Sequence, residues 1–106
     1  MALPTCLVAQ HLRALCQLRA DGTSLSFWRT RAGLEVDFVL YGPNVFMAVE
    51  VKRSARVHRR DLSALRAFRE DYPEADCCLV SFAAEPLLMD GIRCEPQHPW
   101  LRSLGV

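Results

Sequence analysis

The stretch from Gly33 to Lys52 limits what this chain can become more than any other. It reads Gly-Leu-Glu-Val-Asp-Phe-Val-Leu-Tyr, then a Gly42-Pro43-Asn44 turn, then Val-Phe-Met-Ala-Val-Glu-Val-Lys. Two apolar, β-rich runs joined by turn residues predict a hairpin. Side chains alternate along a strand, so Glu35 and Asp37 are expected on one face, and Glu50 and Lys52 likewise share one. Pairing around the turn brings Asp37 beside Glu50, with Val36, Phe38, Val49 and Val51 packed on the other face. Charges left unpaired inside a sheet cost on the order of several kcal/mol each. Two readings account for the cluster. One is a metal and phosphate site, in which the carboxylates give hard oxygen ligands to Mg²⁺ and the ammonium lies near an attacking water or a phosphate. The other is a partly buried ion pair, Glu50 with Lys52 or Asp37 with Lys52.

A chain of 106 residues suits one domain, and 51% hydrophobic residues suffice for a core. The net charge of +1 excludes a polycation, so any nucleic-acid contact must come from a local patch. No apolar run approaches the roughly 20 residues that span a bilayer, and the first residues lack a signal-peptide pattern, which predicts a cytoplasmic protein. Cysteines 6, 16, 77, 78 and 94 show no Cys-x-x-Cys spacing and read as reduced, space-filling thiols. A Gly-x-x-x-x-Gly-Lys phosphate loop is absent, so the chain is not by itself an ATPase.

Thr5 to Arg19 reads as a helix with Leu7, Val8, Leu12, Leu15 and Cys16 on its apolar stripe, ended by Asp21-Gly22. Ser24 to Thr30 reads as a strand carrying Phe27 and Trp28, and the hairpin follows, its second strand central in the sheet. Lys52, Arg53, Arg56, Arg59 and Arg60 then place five cations in nine residues. That run is either a solvated connection or a loop contacting phosphates; Arg29 and Arg31 join its arginines as candidate nucleic-acid contacts. Asp61 to Tyr72 predicts a helix with Leu62, Leu65, Phe68 and Tyr72 inward, stopped by Pro73. Ala75 to Phe82 predicts a buried strand, parallel to its partner because a helix intervenes. Residues 83–91 read as a loop with room for a helical turn at 86–90, an edge strand is expected at 92–95, and a terminal helical turn at 98–104 docked through Trp100, Leu101 and Leu104. The whole is an α/β sandwich with a mixed sheet.

This order of elements, with Asp37 on the second strand and Glu50-Val51-Lys52 on the third, resembles the PD-(D/E)xK nuclease superfamily of restriction endonucleases and Holliday-junction resolvases. The resemblance implies a restriction endonuclease-like αβββαβ sandwich with a mixed central sheet. It also implies catalytic Asp37, Glu50 and Lys52, a Mg²⁺ or Mn²⁺ ion on Asp37, Glu50 and the Val51 carbonyl, DNA as partner, and a homodimer. Phe27-Trp28-Arg29-Thr30-Arg31-Ala32-Gly33-Leu34-Glu35-Val36-Asp37-Phe38-Val39, with Asp61-Leu62, Leu65 to Phe68 and Asp71-Tyr72-Pro73, looks more closely like the C-terminal domain of unknown function of prokaryotic AAA-type ATPases. Residues 1–106 are then a single nuclease-like domain, excised from a larger ATPase or partnering one in trans. Such nucleases often take a further acid from the first helix; Pro4 and Thr5 stand where that family often has Phe-Glu. Glu35, about 6.6 Å along the strand from Asp37, is the candidate replacement, unless Arg29 or Arg31 pairs with it. The expected outcome is an accessory domain that binds nucleic acid or mediates assembly with weak or no catalysis. An active Mg²⁺-dependent endonuclease is the alternative. Glu50→Ala is expected to destabilise the fold by leaving Lys52 unpaired.

Overall fold

The computed structural model describes residues 4–104, with side chains from Leu7 onward. The elements run α1 (Pro4–Arg19), β1 (Ser24–Arg29), β2 (Glu35–Gly42), β3 (Val45–Val51), α2 (Ser63–Asp71), β4 (Asp76–Ser81), β5 (Leu87–Met89), β6 (Ile92–Pro96) and α3 (Gln97–Ser103). The six strands form one mixed sheet in the order β1-β2-β3-β4-β6-β5. The first three make the expected antiparallel meander, and β4 adds parallel to β3 through the α2 crossover. The Pro4 and Thr5 positions, where a first-helix acid was sought, lie outside the described side chains.

Two apolar layers sandwich the sheet. On one face, Leu62, Leu65 and Phe68 bury against Val39, Ala48, Cys77, Leu79, Ile92 and Cys94. On the other, Val8, Leu12 and Leu15 of α1 and Trp100 and Leu101 of α3 bury against Leu40, Val49, Cys78 and Val80. The spacing of those α1 residues by four and then three is the helical stripe read from the sequence. Consecutive residues of β4 serve opposite layers, so Cys77 lies under α2 while Cys78 lies under α1 and α3. Burial pushes the Cys78 thiol up to about 12, and it raises Cys77 as well. Cys16, Cys77, Cys78 and Cys94 are all free thiols, as expected; Cys6 lies outside the described side chains.

The second half of the chain differs from the sequence reading in three places. The helix expected to open at Asp61 begins with a 3₁₀ turn over Arg59–Leu62 and becomes α-helical at Ser63. Residues 86–90, read as loop with room for a helical turn, contain the edge strand β5, which runs antiparallel to β6. β6 is therefore interior, parallel to β4 on its other side. The chain reverses between β5 and β6 through Asp90 and Gly91, both at positive φ (53° and 75°), a conformation open to Asp and Gly and closed to a continuing helix.

Gly42 closes the meander where the backbone leaves no room. A methyl group added there would meet the Thr23 hydroxyl at 2.3 Å and the Thr23 Cα at 2.8 Å. Thr23 cannot easily yield, because its backbone N–H and its hydroxyl both donate to the Asp21 carboxylate. That pair of bonds also holds the Asp21 carboxyl below its usual range. Gly42→Ala is expected to cost about 1–2 kcal/mol through overpacking, read as a lowered urea midpoint. An unchanged midpoint would show that the β2 end moves aside freely.

Candidate functional site

The acidic cluster forms where the β2–β3 ladder ends. Their regular pairing runs from Gly42–Val45 to Phe38–Val49. On its other side β2 carries a bulge: Ser26 pairs with Val39 but Trp28 with Val36, so β2 uses three steps where β1 uses two. An extra residue breaks side-chain alternation. Val36 is thereby turned into the α2 layer with Val39, while Phe38, Val49 and Val51 remain on the α1 side. The expectation that Val36 shares their face is corrected by this bulge.

Beyond the last ladder pair, two carboxyl groups take over the work of backbone hydrogen bonding. The Asp37 N–H donates to Glu50 Oε1 at 3.3 Å, and the Val51 N–H donates to Asp37 Oδ2 at 2.9 Å. Asp37 and Glu50 therefore come together as the sequence predicted, each half-buried. Burial first, and the negative charge of Asp37 second, push the Glu50 carboxyl up to about 9. Glu50 consequently keeps its proton at neutral pH.

Lys52 has a different partner from those expected. Its ammonium donates to Asp61 Oδ1 at 2.9 Å, not to Glu50 or Asp37. Lys52 follows the last residue of β3, and its own N–H is fixed to the Val80 carbonyl at 2.8 Å. From there the side chain reaches Asp61 in the 3₁₀ turn of Arg59–Leu62. Asp61 Oδ2 also accepts the His58 N–H at 2.8 Å, so one carboxylate ties the end of β3 to the end of the basic segment. Burial pushes the Asp61 carboxyl up, but the His58 N–H and Lys52 outweigh it and hold it below its usual range. Sequence reasoning read Asp61 only as a helix opener; its signal was an acid directly after a cationic run.

Glu35 sits opposite Arg29 across β1–β2 and pairs with it at 2.7 Å. That engagement weakens its claim as a third acid. Arg31, Arg53, Arg56, Arg59 and Arg60 are exposed, and none makes an ion pair among the described residues. The segment from Arg53 is nonetheless anchored: the Ser54 carbonyl accepts the Phe82 N–H at 3.1 Å, and the Ser54 hydroxyl accepts the Arg56 N–H at 3.1 Å. The arginines are thus presented from a pinned loop rather than a free one.

Hard oxygen donors are what Mg²⁺ and Mn²⁺ prefer, and Mg²⁺ is commonly held by one or two carboxylates together with phosphates and waters. A carboxyl that holds its proton must release it before it can ligate such an ion, and among the described residues no group of three or more His, Cys, Asp and Glu is placed to hold a metal.

Residues 3–94 match the family described as a domain of unknown function, DUF4143. The chain belongs to this family. The DUF4143 match runs from α1 to Cys94 in β6, so it includes Asp37, Glu50, Lys52, the basic segment and Asp61. A comparison with curated proteins finds no match to this DUF4143 chain. Among its described residues, no helix is long and apolar enough to cross a membrane.

Proposed function

We propose that this DUF4143 domain is a nuclease-like accessory module of a prokaryotic AAA-type ATPase, cytoplasmic, which binds nucleic acid through its phosphates with weak or no hydrolytic turnover. One observation carries the reading: the Asp37–Glu50 pair at the end of the ladder leads directly into a pinned loop with four exposed arginines. The motif resemblance supplies the nuclease-like assignment and the ATPase partner. Arg53, Arg56, Arg59 and Arg60, with Arg31, neutralise backbone phosphates and fix the strand without reading its sequence, whereas Arg29 must leave Glu35 to join them. Asp37, Glu50 and the Val51 carbonyl would hold Mg²⁺ or Mn²⁺. When bound, such an ion lowers the pKa of a coordinated water and stabilises a leaving oxygen.

Lys52 decides between binding and turnover. The resemblance gives its ammonium the task of orienting water or offsetting charge on the phosphate. Asp61, at 2.9 Å, already neutralises that ammonium, which favours binding. The alternative, an active Mg²⁺-dependent endonuclease or resolvase-like dimer, is favoured by the convergence of Asp37 and Glu50 and requires Lys52 to leave Asp61.

Thermal unfolding with added Mn²⁺ tests the metal. A folded-state ligand raises the melting temperature by mass action, so the wild type is expected to respond and Asp37→Asn is not. No response in the wild type would remove the ion from the reading. Titration of labelled duplex DNA across salt concentrations tests the loop. Replacing Arg56, Arg59 and Arg60 with Ala is expected to flatten the salt slope by about 3, close to one unit per lost phosphate contact. An unchanged slope would place the nucleic-acid contact elsewhere. Mn²⁺-dependent cleavage by the wild type that Asp37→Asn lacks would select the enzyme.

A further inference from the structure

A second surface, along β1 and the end of α2, lies apart from the Asp37–Glu50 pair and the basic loop of residues 53–60. α2 lies over β2, β3 and β4 and meets β1 through Trp28, whose ring packs on Phe68 at 5.1 Å, while Ser24, Ser26 and Phe27 of β1 stay exposed beside it. A groove of about 640 Å³ opens there, lined by Phe27, Trp28, Tyr41, Phe46, Tyr72 and Glu74 among others. Phe27 and Tyr41 are 68% and 60% exposed. Glu74 is the one charged residue of the lining. Glu70 and Asp71, the last two residues of α2, precede it, and all three are exposed and outside any ion pair among the described residues. β1 is also the outermost strand, so its outer row of N–H and C=O groups is not paired within the sheet.

We infer that this groove docks an extended polypeptide segment in which arginine or lysine alternates with apolar residues. The segment adds to β1 as a further strand, with main-chain hydrogen bonds giving affinity and alternate side chains entering the groove. Apolar side chains cover the exposed Phe27, which strand alternation turns to the face opposite Trp28, while the cationic ones enter the groove. A cationic side chain reaches Glu74 across the faces of Tyr41 and Tyr72, where ring and carboxylate both attract it. Charge sets the class of partner. Three carboxylates at this end repel phosphates, whereas the exposed arginines of residues 53–60 lie past the opposite end of α2. The inference therefore goes beyond the nucleic-acid reading and stands if that reading fails.

The test is selection of short random peptides displayed on phage, against the wild type and against Glu74→Lys. Glu74 is an exposed loop residue, so its replacement leaves the fold intact. Peptides alternating Arg or Lys with apolar residues are expected to be retained by the wild type alone. A synthetic copy of the most enriched one is expected to shift the emission of Trp28, with Trp28→Phe as the control. It should also slow amide exchange along β1 and bind Glu74→Lys at least tenfold more weakly. The inference is overturned by equal recovery on both proteins, by enrichment of acidic peptides, or by unchanged β1 exchange. An oligodeoxythymidine that displaces the peptide and binds Glu74→Lys more tightly would instead assign the groove to unpaired bases, and would equally overturn it.

Discussion

Glu50→Gln is expected to stabilise the domain, and to do so more strongly as pH rises. The ordinary range of this carboxyl is near 4.5, and burial beside Asp37 raises it to about 9 in the folded chain. Below about 4.5 the folded and unfolded chains both hold the proton, and the group costs nothing. Between those limits the unfolded chain has released the proton while the folded chain retains it. Stability then falls with rising pH, because the folded state binds more protons. Ionisation above about 9 ends the decline. Gln keeps an oxygen for the Asp37 N–H and can donate to the Asp37 carboxylate without titrating. Solvent at the exposed side of Glu50 screens part of the effect, which leaves about 2–3 kcal/mol at pH 9 and close to none at pH 4.5. Urea midpoints for both proteins at pH 5, 7 and 9 check this. A gap that stays constant with pH would mean that Glu50 ionises normally. The same geometry corrects the reason first given for a cost in Glu50→Ala. Lys52 keeps its Asp61 partner in that variant, so any destabilisation comes from the unsatisfied Asp37 N–H.

Phe68→Ala is expected to cost about 3–5 kcal/mol, a large share of the roughly 5–15 kcal/mol of a typical domain. Phe68 is 2% exposed and lies at the centre of an aromatic cluster. Its ring centroid is 5.1 Å from Trp28, 5.8 Å from Phe46 and 4.9 Å from Tyr72, the first two edge to face. Such pairs contribute beyond area burial, and here they fasten α2 to the sheet. Truncation removes three aromatic contacts and opens a cavity that the strands cannot close. Phe68→Leu keeps most of the volume and is expected to cost about 1–2 kcal/mol. Equal denaturation midpoints for Phe68→Ala and the wild type would show that α2 is held by something other than this ring.

Much of the architecture was legible because it rests on patterns longer than a turn. The α1 stripe, the Gly-Pro-Asn hairpin, the buried β4 and the docking face of α3 each repeat their signal over several residues. β5 has only three residues, too few for periodicity, and Pro86-Leu87-Leu88-Met89-Asp90 suits a helical turn equally well until β6 is there to pair. β6 looks like an edge until β5 covers it. The β2 bulge has no glycine to announce it, yet it decides where Val36 points. Asp37 beside Glu50 was legible because strand register alone sets it. The partner of Lys52 was not, because face-sharing rules stop at Val51, where the strand stops, and a loop with its own anchors delivers Asp61.

The neighbouring thiols of β4 make the two sides of the molecule separately observable. Thiolates, not thiols, react with alkylating and disulfide reagents, and burial keeps both groups protonated. Cys77 therefore becomes reactive when α2 lifts from the sheet, and Cys78 when α1 or α3 does. Adjacent in sequence but facing opposite layers, they form a native two-channel clock for local opening. Their labelling rates compare how easily each half of the sandwich breathes.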